Sequence, residues 1–140
     1  MTATTERQAF PATPASAGAA RRFVESVLDG PDQRALQYPA TLLVSELVAN
    51  AVLHTGTPIE VVIHTGDQGD AVRIEVHDGN PQLPVRKHYS TMSGTGRGLL
   101  LVERMASSWG AERTAGGKVV WFELDGSATP ALDFLEAEAL

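Results

Sequence analysis

The chain has 140 residues, enough for one domain around a single core and too few for two. With 11 Lys and Arg against 17 Asp and Glu its formal charge is −6 at pH 7, so it lacks the clustered cations that neutralise nucleic-acid phosphates. It contains no cysteine, which excludes disulfides, thiolate metal sites and cysteine nucleophiles. The first residues form no apolar core of a signal peptide, and no run of about 20 consecutive apolar residues appears, so the expectation is a soluble cytoplasmic protein with no membrane contact.

Residues 1–17 are rich in Ala, Thr and Pro and read as a flexible lead-in, with Arg7 to Phe10 as a candidate edge strand. From Ser16 the apolar positions Ala19, Ala20, Phe23, Val24, Val27 and Leu28 recur at helical spacing until Gly30-Pro31 stops them. A second helix is expected from about Tyr38 or Pro39 to His54, ended by Thr55-Gly56-Thr57-Pro58. Ile59 to His64 and Ala71 to Asp78 read as strands around a polar, glycine-bearing turn at Gly66 to Asp70. Residues 79–96 carry glycines, prolines and serines without an apolar period, and a loop of that length in a small domain is usually functional or disordered. Gly98 to Ala106 is helical in pattern, and Trp109 to Thr114 and Lys118 to Leu124 form a hairpin around Ala115-Gly116-Gly117. The main domain thus spans 18–126, and 127–140 is a tail or short helix.

Three polar signatures fall on these elements in an order that suits a magnesium nucleotide: a metal ligand with a base, a reader of adenine and a cradle for phosphates. On the second helix Glu46, Asn50 and His54 stand four apart along one stripe, in a segment otherwise made of Leu, Val and Ala. An ordinary solvated face fits poorly, because Leu42, Leu43 and Leu53 flank or interrupt the stripe. A buried carboxylate and amide need polar partners, and a cleft with a hydrated Mg²⁺ supplies them. In Ala71 to Asp78 the period of two buries Val72, Ile74 and Val76 and carries Asp78 to the same face. There it either caps a local turn or accepts a hydrogen bond from the exocyclic amine of adenine, with Gly79, Asn80 and Pro81 turning the chain away. Gly94-Thr95-Gly96-Arg97-Gly98-Leu99 feeds directly into a helix N-terminus, where exposed N–H groups and the helix dipole favour anions. No Gly-Lys-Ser/Thr follows, so this is no P-loop, and a dinucleotide fingerprint would place glycine at Leu99. His54 is either a partner near the phosphates or a favourable charge at a helix C-terminus. His64, His77 and His88 show no metal-ligand spacing.

With these residues in view, the chain resembles the GHKL superfamily of ATP-binding domains, and within it the small bacterial serine/threonine kinases that act as anti-sigma factors. Glu46 to His54 looks like the family's N box, Val76 to Pro81 its first glycine box and Gly94 to Leu99 its second, while Gly116 to Phe122 is similar to the final strand of many actinobacterial members. Asn80 stands where members usually carry glycine, and Val119 and Val120 where a Thr often lies beside the adenine. The resemblance implies an α+β fold of Bergerat type, a two-layer α/β sandwich with helices on one face of a mixed, mostly antiparallel sheet, which agrees with the element order. It also implies ATP and Mg²⁺ as cofactors, with Asn50 as the metal ligand and Glu46 as general base. Asp78, Gly79 and Pro81 would lie at the adenine, with the segment Gly94 to Leu99 and His54 around the phosphates and the loop before Gly96 as a lid.

By the same resemblance the function is phosphorylation of a small antagonist protein together with binding of a sigma factor, without direct contact to nucleic acid, and with a homodimer as a compatible assembly. The alternative is a nucleotide-gated binding module, in which ATP orders a partner surface with little or no phosphoryl transfer. Glu46 favours chemistry, because a module that only binds has less need of a base.

Overall fold

The computed structural model describes residues 3–66, 71–83 and 98–126. Residues 67–70, residues 84–97 with Gly94, Thr95, Gly96 and Arg97, and residues 127–140, to which several expectations above belong, lie outside the described residues. Eight elements follow in order: β1 (Thr4–Phe10), α1 (Ala15–Val27), α2 (Arg34–Thr55), β2 (Ile59–Thr65), β3 (Ala71–Asp78), α3 (Gly98–Met105), β4 (Ser108–Thr114) and β5 (Gly117–Asp125).

The strands form one sheet in the order β1-β2-β3-β5-β4. All four neighbouring pairs are antiparallel, in line with the mixed, mostly antiparallel sheet expected, and among the described strands no parallel pair occurs. The reason is local. β2–β3 and β4–β5 are hairpins, and β5 pairs with β3 in the opposite direction, so no parallel crossover is required. The candidate edge strand at Arg7 to Phe10 is present and starts earlier. β1 begins at Thr4 and pairs with β2 over its whole length, from Thr4 opposite Thr65 to Phe10 opposite Ile59.

Period-two alternation divides the sheet into two unlike faces. One face presents Ile59, Val61, Ile63, Val72, Ile74, Val76, Val120, Phe122 and Leu124, all buried in a single core with Ala20, Val24 and Leu28 of α1, Leu43, Val44, Leu47 and Val48 of α2, and Leu101, Val102 and Met105 of α3. The other face carries Arg73, Glu75, His77 and Trp121, partly covered by one another. The helices therefore lie against the apolar face, giving the expected α+β architecture of two layers.

α2 starts at Arg34, more than a turn before the expected start near Pro39. A proline was read as the opening of a helix, yet Pro39 sits inside it and is itself buried. Burial of Leu36 and Ala40 holds the extra turn in place although Pro39 lacks an N–H for the carbonyl of Ala35. By length and composition α2 is long and apolar enough to cross a bilayer, but most of that stretch is buried in the core beside α1 and the sheet. The helix ends at Gly56, whose φ of 65° is left-handed, a conformation that glycine adopts without steric cost.

Candidate functional site

Glu46 and Asn50 are 8% and 1% exposed, so the stripe read from the sequence does point into the protein and is no solvated face. His54, the third member, is only half-buried near the end of α2. An α-helix rises about 1.5 Å per residue, which spaces the three groups at intervals of about 6 Å along one side. At the C-terminal end of α2, Thr55, its last residue, and Thr57 form a small polar relay. The Thr55 hydroxyl donates to the Ala51 carbonyl at 2.8 Å and lies 3.1 Å from the Thr57 hydroxyl. Thr57 Oγ1 then accepts the N–H of Gly79 at 2.8 Å. That bond ties the C-terminal end of α2, where the stripe finishes at His54, to the turn that follows Asp78.

Asp78 lies on the helix-facing side of the sheet, as the alternation in β3 requires, and it is buried. Its Oδ1 accepts the N–H of Asn80 at 2.8 Å, and the Asn80 side-chain oxygen in turn accepts the N–H of Gln82 at 2.9 Å. Arg113 Nε donates to the Pro81 carbonyl at 3.2 Å. The turn after β3 is thereby held from three directions: the α2–β2 connection through Thr57, β4 through Arg113, and β5 through the residue opposite Asp78. Asn80 takes glycine's usual place without a left-handed backbone, since among the described residues no residue other than glycine has a positive φ.

The residue opposite Asp78 in the β3–β5 register is Lys118. Its ammonium lies 3.0 Å from Oδ1 and 3.0 Å from Oδ2 of Asp78, and donates to the Asn80 carbonyl at 3.2 Å. The two side chains are 4% and 3% exposed, a buried ion pair at the place expected to read adenine. Of the two valines compared with the family's Thr, Val119 faces the other side of the sheet opposite His77, while Val120 faces the helices beside Lys118. Lys118 and Thr57 are the two site residues that the sequence reading passed over. The signal for Lys118 was present: Lys118, Val120, Phe122 and Leu124 alternate, which places the lysine on the core face at the start of an otherwise apolar strand.

Gly98 and Leu99 form the first turn of α3, an eight-residue helix that packs through Leu101, Val102 and Met105 against the core. Gly94, Thr95, Gly96 and Arg97 lie outside the described residues. Among the described residues no group of three or more His, Asp or Glu is arranged to hold a metal by itself. Mg²⁺ fits such a site nevertheless. It prefers oxygen donors, keeps several waters and is usually bound through one or two protein oxygens together with substrate phosphates, a role open to the Asn50 side-chain oxygen.

Two conclusions follow from comparison with known proteins. The family of histidine kinase-, DNA gyrase B- and HSP90-like ATPases matches residues 36–128, and the chain belongs to it. That family is the GHKL superfamily, whose members bind ATP and include both kinases and ATPases. No curated protein gives a significant match.

Proposed function

We propose that this protein is an ATP-binding regulatory serine/threonine kinase of anti-sigma-factor type, acting on a small antagonist protein and binding a sigma factor in the cytoplasm. The observation that carries the reading is the pair on α2: a glutamate and an asparagine, both buried and one turn apart, on the helix whose C-terminal end is tied to the turn after Asp78. A domain that only binds nucleotide has use for the amide as a metal ligand. It has less use for a buried carboxylate beside it.

In this reading Glu46 accepts the proton of the substrate Ser or Thr hydroxyl as that oxygen bonds to the γ-phosphorus of ATP. The bond to the bridging oxygen breaks, and ADP leaves with the electron pair. Asn50 would hold Mg²⁺, which neutralises charge on the phosphates. Asp78 anchors the base, so that the triphosphate is presented to α2 at a fixed distance.

The test is incubation with labelled ATP, Mg²⁺ and candidate antagonist proteins encoded beside this one. Label on a partner Ser or Thr is the expected result. Glu46→Ala should keep nucleotide affinity and slow transfer by about 10²- to 10⁴-fold, the usual contribution of a general base. Asn50→Ala should instead lose Mg²⁺-dependent affinity and turnover together. A partner complex that needs ATP but carries no label would replace the kinase with a nucleotide-gated binding module.

A further inference from the structure

We propose that Lys118 is a positioning residue that restricts Asp78 to a single open acceptor, and that it thereby makes the site select purines bearing a 6-amino group over their 6-oxo counterparts. The inference rests on the reading that this site takes a purine nucleotide, and adds to it the residue that sets the choice of base.

The argument is a count of donors and acceptors. A lysine ammonium has three protons, and Lys118 has three acceptors within 3.2 Å: both oxygens of Asp78 and the carbonyl of Asn80. No proton is left for a ligand. A carboxylate oxygen accepts about two hydrogen bonds, and Oδ1 of Asp78 already has two donors, Lys118 Nζ at 3.0 Å and the Asn80 N–H at 2.8 Å. Oδ2 has Lys118 alone among the described residues, at 3.0 Å. An incoming base therefore meets one acceptor and no donor. An exocyclic amine satisfies that acceptor, whereas a carbonyl oxygen at the same ring position faces it as a second acceptor with no proton between them.

The backbone keeps Lys118 in this role. Asp78 and Lys118 are register partners, and Gly117 packs so closely on the turn that a Cβ there would lie 2.0 Å from the Asp78 carbonyl oxygen and 2.6 Å from Gly79 Cα. With both main chains locked, the ammonium has little room to leave while the carboxylate stays. A buried carboxyl that loses its counter-charge tends to take up a proton, and a protonated carboxyl donates. Without Lys118 the same aspartate would then present a donor to a 6-oxo group.

The experiment compares ATP and ITP, which differ at the 6-position and its neighbouring ring proton, by calorimetric titration in Mg²⁺. The wild-type protein should prefer ATP by about 10- to 100-fold, the worth of one hydrogen bond to a charged group. In Lys118→Met that preference should fall to about threefold or less, because a lost hydrogen bond no longer separates the two bases. A merely structural role would weaken both nucleotides alike and leave the ratio unchanged, which overturns the proposal. Tighter ATP binding by Lys118→Met also overturns it, since Lys118 would then be a competitor for the carboxylate. Should Lys118→Met not fold, Asp78→Asn/Lys118→Met removes the lone charge, and its amide, with both a donor and an acceptor, should also accept ITP and ATP to within about threefold. A wild-type protein that binds neither nucleotide would refute the ATP reading itself, a result distinct from either ratio.

Discussion

Strand β3 carries one carboxylate to each side of the sheet, and the two lead different lives. Asp78, facing the helices, has among the described residues a single cation, Lys118, and both side chains are almost wholly enclosed. Glu75, facing outward, gathers three partners: His77 Nε2 at 2.8 Å, and Arg73 Nε and His64 Nε2 at 3.1 Å. Arg73 also reaches Glu123 at 3.3 Å and lies 4.1 Å over the Trp121 ring. The outer network has more contacts and less consequence. Its members remain partly in water, where ion pairs are screened and contribute about 0–1 kcal/mol each. The inner pair has few contacts: apart from each other, among the described residues the carboxylate has only the Asn80 N–H and the ammonium only the Asn80 carbonyl, so the loss of either partner strands the other charge. Enclosure, and not the number of bonds, decides which carboxylate the protein depends on.

The largest effect expected from this contrast is on stability. Removing one partner of a buried pair leaves an uncompensated charge and costs about 3–5 kcal/mol, so Lys118→Met should lower the urea midpoint far more than any single outer-face substitution. A loss under about 1 kcal/mol would mean that water reaches the pair and that the two faces are alike.

Next come two glycines, one near each carboxylate. Gly117→Ala would drive a Cβ to 2.0 Å from the Asp78 carbonyl, and backbone cannot give way there without breaking the β3–β5 register. Gly110→Ala would meet the Trp121 ring at 2.7 Å, which is side chain and able to shift. Overpacking costs about 1–3 kcal/mol, and Gly117→Ala should lie at or above the top of that range and Gly110→Ala nearer the bottom. Equal midpoints for the two variants would contradict the tight inner turn.

The smallest effect belongs to Glu75. Burial pushes its carboxyl pKa up, but the hydrogen bonds from His77 and Arg73 and the charge and hydrogen bond of His64 together outweigh that, and it lies below its ordinary 4.5. A carboxyl held low in the folded state adds stability that is present above its unfolded value and is lost as the pH falls through its folded one. Glu75→Gln should therefore cost at most about 1 kcal/mol at neutral pH, and the difference from wild type should shrink once the pH is taken below 4.5. A difference that grows on acidification would reverse the sign of the argument.

Much of this was legible in the sequence because it depends on short-range period. The buried faces of α2 and β3 follow from spacing and apolar surroundings, and Glu46, Asn50 and Asp78 are buried as that pattern requires. The β4–β5 hairpin followed from turn residues flanked by apolar alternation. What the sequence left hidden depends on pairing between distant segments. No local pattern states that β5 sits beside β3 with Lys118 opposite Asp78, or that Thr57 reaches Gly79 across 22 positions. Pro39 misled for a related reason: its cost is local, whereas the burial of Leu36 and Ala40 that offsets it is tertiary.

The most direct test of the account is whether the enclosed carboxylate holds the nucleotide. Mg-ATP titrated calorimetrically into the wild-type protein and into Asp78→Asn, at a temperature where circular dichroism shows both folded, measures this without reference to any partner. The account predicts binding by the wild type and a loss of about ten- to a hundredfold in the variant, the equivalent of one hydrogen bond to a charged group. Unchanged affinity in Asp78→Asn would contradict it, and would leave the Asp78–Lys118 pair as a clasp within the sheet with no part in binding.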